Sequence, residues 1–194
     1  MPPDWTLLAG LTPGGLQTAL LAEAGAVLDG QPGPEQDRLV AALPEPLRAI
    51  WLLSWLDFEV TQGSLLAYFY NRHGRHARLA AGVLRRIGAN RMADVVAEAA
   101  ASYERASAEW AARRAEMDAA GEFAVVKPYT GLSNADDLAR LTDRYWQAAT
   151  DDDWGSKLDA YLREQVRMLA EQPSSTSRPQ PRATGNQAHP IPEN

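Results

Sequence analysis

The stretch EVTQGSLLAYFYNRHGRHA, residues 59–77, decides how the rest of the chain is read. A carboxylate and a Thr-Gln-Gly-Ser turn lead into Leu65, Leu66, Tyr68, Phe69 and Tyr70, then an Asn, a Gly and two histidines. One reading makes it a site. His73 and His76 are three apart, a spacing at which two metal ligands share a helix face. The surroundings oppose this. No carboxylate lies between Glu59 and Asp94, cysteine is absent, and Arg72, Arg75, Arg78, Arg85 and Arg86 would repel a cation. No metal and no cofactor is expected. The other reading is architectural. Gly63 allows a sharp turn, Ser64 N-caps a short helix, and Asn71 and Gly74 stop that helix in left-handed geometry. Ile87-Gly88-Ala89 repeats the device, ending a helix over 76–87 at Gly88 before a long helix starts near Asn90.

Outward from this stretch, helical periodicity dominates. Pro13 and Gly30 bracket a helix over 15–28, and a short one follows over 35–43. Pro44-Glu45-Pro46 starts the most apolar helix, because proline is tolerated in a first turn that has no use for its missing N–H. Trp51 and Trp55 on that helix are expected in the core. Asp57 and Glu59 at its end oppose the dipole, so they are expected to pair with arginine or cap the next helix. Met92, Val95, Ala99, Tyr103, Ala106, Trp110 and Met117 form one stripe, which predicts a single helix over 91–118 with a Glu109–Arg113 pair. GEFAVVKPYTG (121–131) reads as a loop, with at most a short strand in FAVV. Ser133-Asn134 is expected to cap the next helix, and the DDD of 151–153 to open the last one. From Gln172 the chain is rich in Pro, Ser and Gln and is expected to be disordered. The whole is expected to be all-α: a compact single-domain array of seven or eight helices. Residues 1–44 form an N-terminal helical extension, 45–171 the main domain and 172–194 a tail.

Composition narrows function. The absence of cysteine excludes disulfides and thiolate chemistry. The longest apolar run, 49–56, is far short of the roughly 20 residues of a membrane span, and the start lacks the basic residues of a signal peptide, so a cytoplasmic location is expected. G-x-S-x-G, the P-loop and G-x-G-x-x-G are all missing, and no enzymatic activity is expected. Charge is uneven: −6 over 1–59, +6 over 60–93, −7 over 94–171 and +1 in the tail. The arginine band either pairs with acids of the fold or offers a field to a partner.

The pattern Glu59, Val60, Gly63, Tyr68, Phe69, Tyr70, Asn71 and Gly74, then Leu84, Ile87, Gly88, Ala89 and Ala93, resembles a bacterial DNA-mimic protein family, the domain-of-unknown-function family named for the C-terminal domain of a DNA-mimic protein. LARLTDRYW (138–146) and Tyr161-Leu162-Arg163 resemble its closing elements, so the likeness covers roughly 45–170. Thr61-Gln62 stands where the family usually has an Asn-rich entry, Ser64 where it has a second Gly, and Ala67 where a Gln is common. The resemblance implies an all-α fold without known enzymatic activity and, for its characterised member, an acidic dimer that occupies the DNA-binding surface of a transcription factor. In this chain the candidates for such a surface are Asp136, Asp137, Asp143, Asp151, Asp152 and Asp153, with Glu116, Asp118 and Glu122 beside them. The expected function is thus a protein-interaction module, with a DNA-binding transcription factor as partner and a homodimer as a candidate assembly. The competing reading is an immunity or antitoxin-like protein that neutralises a basic toxin. Direct nucleic-acid binding through Arg72–Arg91 is disfavoured by the acidic flanks.

Overall fold

The computed structural model describes residues 3–71, 73–120 and 131–172. Its centre is set by two prolines. Pro44 and Pro46 open α4 (Glu45–Gln62), which buries Leu47, Ile50, Trp51, Leu53, Leu56 and Val60. So long an apolar helix must be covered on several sides. Before it come α1 (Trp5–Ala9), α2 (Pro13–Leu28) and α3 (Gly33–Ala42). After it come α5 (Leu65–Tyr70), a 3₁₀ turn (His73–His76), α6 (Ala77–Arg86), α7 (Asn90–Arg105), α8 (Ser107–Ala120), α9 (Ala135–Asp152) and α10 (Trp154–Glu171). Helices α2, α5, α6 and α10 pack around α4; α7 packs against α6 and α9, and α1 lies on α10. One continuous core runs from Leu8 of α1 to Val166 of α10. No helix among the described residues is long and apolar enough to cross a membrane.

The all-α expectation holds, with ten α-helices among the described residues rather than seven or eight. One added helix is the short α1, capped by Asp4. The other comes from a break at Ala106 in the helix expected over 91–118. There the Ser102 carbonyl accepts from Asn134 Nδ2 at 3.1 Å as well as from the Ala106 N–H at 3.3 Å. The apolar stripe runs through the break undisturbed, since Ala106 and Trp110 are both buried. Glu109 does not pair with Arg113. It accepts from the Ser133 N–H and hydroxyl, both at 2.7 Å, while Arg113 meets Glu116. The FAVV segment and the tail beyond Gln172 lie outside the described residues.

Two further expectations are corrected. Asn134 precedes α9 but makes no side-chain cap; its amide faces the core, where its Oδ1 accepts from Trp110 Nε1 at 3.2 Å. Asp151 and Asp152 close α9 instead of opening α10, and Asp153 turns the chain between them in left-handed geometry at φ 47°.

Candidate functional site

The opening stretch is built as architecture. Ser64 Oγ accepts from the N–H groups of Leu66 and Ala67, and Thr142 Oγ1 of α9 takes the Leu65 N–H at 3.1 Å. These bonds satisfy three donors that α5 leaves open at its start. Glu59 is buried and accepts from Asn71 Nδ2 at 2.5 Å, tying the end of α4 to the end of α5. Tyr68 and Phe69 are buried, and Phe69 stacks on Tyr103 with ring centroids 4.7 Å apart. Arg114 of α8 reaches back to the Phe69 carbonyl at 2.8 Å and to the Tyr103 hydroxyl at 2.7 Å. A cation on the last carbonyls of α5 suits the negative end of its dipole.

Gly74 serves for another reason than expected. Gly74 does not stop α5 in left-handed geometry, and Asn71 has φ −78°. Gly74 is small because Phe69 crosses it: a Cβ there would stand 2.4 Å from Phe69 Cδ1 and 2.7 Å from Phe69 Cα. At Gly63 a Cβ would meet that of Ala67 at 2.6 Å. Gly88 does adopt left-handed geometry, at φ 81°, beside the buried Ile87, and its carbonyl accepts from Lys157 Nζ at 2.9 Å. His76 is buried, and burial holds it below its ordinary pKa of 6.5 against the opposing pull of Asp37. Its Nε2 lies 2.6 Å from Asp37 Oδ1, and because a carboxylate oxygen accepts, the ring is the donor in that bond. Among the described residues no group of three or more His, Asp or Glu side chains is placed to hold a metal ion.

The described arginines of the band are spent inside the fold. Arg75, Arg78, Arg85, Arg86 and Arg91 reach Asp37, Glu104, Asp94, Glu45 and Asp151 at 2.7–3.0 Å. Such exposed pairs add little stability, about 0–1 kcal/mol each. Their effect is to cancel the field of the band.

The six candidate aspartates fall into three groups. Asp152 is buried, and its Oδ2 accepts from the Met92 N–H at 2.9 Å, so it caps α7 from another helix. Asp137 bonds to Arg140 and Ser102, and Asp151 to Arg91 and Gln147. Asp136, Asp143 and Asp153 are exposed and meet no cation among the described residues. Asp136 and Asp143 stand two turns apart on one face of α9. Replacing Asp152 by alanine is expected to lower stability by about 1–2 kcal/mol, and Asp143→Asn to change it by less than about 0.5 kcal/mol. Denaturant midpoints of the two variants test that contrast.

The model of the DMP19-like protein family matches residues 41–165. The chain belongs to the DMP19-like protein family. No curated protein and no solved structure matches it. In this DMP19-like protein all six aspartates lie within the matched residues, whereas α1, α2 and most of α3 lie before them.

One carboxylate was not singled out as a site from the sequence. Among the described residues Asp57 of α4 neither pairs with arginine nor caps a helix. It is half-buried, and burial raises its pKa above the ordinary 3.8. Its charge also helps burial to raise the pKa of Tyr145, whose hydroxyl is buried without a hydrogen-bond partner among the described residues. Ionising Asp57 is harder in the fold than in the unfolded chain. Its contribution to stability is therefore full below the ordinary carboxylate range and lost as pH rises through the raised folded value. Asp57→Asn is expected to raise the thermal midpoint at pH 7 and to leave it nearly unchanged at about pH 3. A lower midpoint at pH 7 would mean that an unseen partner holds the charge.

Proposed function

We propose that this DMP19-like protein is a non-enzymatic protein-interaction module that presents an acidic face to a basic, DNA-binding protein, and that DNA mimicry is its specific form. The observation that carries the reading is the division of charge. Every described arginine between residues 60 and 93 is held by a carboxylate of the fold. Uncompensated negative charge remains at Asp136, Asp143 and Asp153, along α9 and at its end. A face of that kind competes with phosphates for a basic protein and is sensitive to salt. In this reading residues 45–171 are the DNA-mimic-like domain, 1–44 an extension packed onto it, and the protein acts in the cytoplasm.

Affinity capture of the tagged chain from its native lysate, with mass spectrometry, tests this against an Asp136→Asn, Asp143→Asn, Asp153→Asn variant. Asp152 is kept, because its loss would unseat α7. A DNA-binding protein captured by the native chain and lost at least tenfold in the variant supports the reading. Equal capture by both removes the acidic face from the function. A nuclease toxin as the partner favours the antitoxin reading.

A further inference from the structure

Between α2 and α4 lies an open, mostly apolar groove of about 620 Å³, walled by Leu21, Ala22, Trp51, Trp55 and Phe58. Phe58 is 52% exposed, high for so large an apolar side chain. At one end stands Asp29, the residue that closes α2. At the other end Ser54 and Phe58 form a shared wall with a second depression of about 260 Å³, lined also by Gln17, Asp57 and Trp154. Among the described residues no Lys, Arg or His lines either one. Asp29 and Asp57 meet no cation among the described residues, in a fold where most carboxylates are matched to an arginine or a backbone donor. From Thr18 to Asp29 the α2 wall spans roughly 16 Å, about three helical turns. That wall lies outside the residues matched by the family.

We infer that this groove receives a helical segment of a protein partner, apolar along one face and carrying Lys or Arg at both ends. The apolar face covers Trp55 and Phe58, and the two cations meet Asp29 and Asp57. Helix-in-groove docking supplies the shape of this contact, and the two unmatched carboxylates supply its polarity. An apolar cleft alone would accept many occupants; one with Asp29 at one end, Asp57 in the depression adjoining the other and no cation among the described lining residues selects a basic one. The inference rests on the chain being a protein-interaction module, but it uses a surface separate from the aspartates of α9.

Random 16-residue segments displayed on phage and panned against the full chain test it, with fluorescence titration of the enriched peptides. The expected peptides carry apolar residues at helical spacing between basic ends. Asp57→Asn and Asp29→Asn each weaken their binding about fivefold or more, and Phe58→Ala weakens it at least tenfold. Asp57→Asn is expected to stabilise the fold and Phe58 is largely exposed, so unfolding does not explain such losses. The Asp136, Asp143, Asp153 variant is expected to bind these peptides unchanged; loss there, with none in Asp57→Asn, overturns the inference and leaves the acidic-face reading standing. No enrichment, or enriched peptides indifferent to Asp57 and Phe58, also overturns it. Enrichment of sequences resembling this chain's own RPQPR (178–182) would assign the groove to the C-terminal segment instead. Self-association abolished by Phe58→Asp would assign it to a second copy.

Discussion

Replacing Trp110 by alanine is expected to destabilise the fold by about 5 kcal/mol, bringing a domain of ordinary stability close to unfolding. The side chain is fully buried, so its removal leaves a cavity the size of an indole. It also strands the Asn134 Oδ1, which accepts from Trp110 Nε1 at 3.2 Å. A buried acceptor without a donor adds about 1–3 kcal/mol to the loss. The damage should spread, because Trp110 lies 5.3 Å from Tyr103 and Tyr103 stacks on Phe69. A fall in thermal midpoint of roughly 10–20 °C is the expected reading. Asn134→Ala should cost less, and the double variant less than the sum of the two, since they share one hydrogen bond. Additive losses would show that the Trp110–Asn134 contact carries no energy of its own.

Replacing Gly74 by alanine is expected to cost about 3 kcal/mol, a large penalty for one methyl group. The added Cβ would lie 2.7 Å from the Cα of Phe69, and no rotamer change can move a backbone atom. Relief requires α5 and the 3₁₀ turn to separate, which would disturb the Phe69–Tyr103 stack. Gly88→Ala is the control. Its Cβ meets nothing within 4 Å, and its penalty comes only from φ 81°, about 1–2 kcal/mol. Urea unfolding of both variants should rank Gly74→Ala below Gly88→Ala. The reverse order would mean that the close crossing is not rigid.

What was legible in the sequence was what is local. Ser64 as a cap, Gly88 as a left-handed stop and Pro44-Glu45-Pro46 as a helix start each depend on neighbours within a few residues, and each is found. The spaced pattern from Glu59 to Ala93 pointed to the family for the same reason. What was missed acts across the chain. Arg114 satisfies carbonyls 44 and 45 residues away, and Asp152 caps a helix 60 residues before it. Of the aspartates expected to open α10, Asp152 caps α7 instead, Asp151 pairs with Arg91, and Asp153 alone stands at the start of α10. The break at Ala106 was hidden because the buried stripe continues through it. Asp57 and the groove depend on α2 and α4 meeting, which no local pattern reports.

Competition with duplex DNA for the captured partner is the most direct test of the acidic face. The native chain is expected to displace DNA from that protein, less effectively as salt rises, and the Asp136, Asp143, Asp153 variant to lose at least tenfold in competing. A partner that holds the chain and the duplex at the same time would contradict the proposal that this DMP19-like protein binds as a DNA mimic.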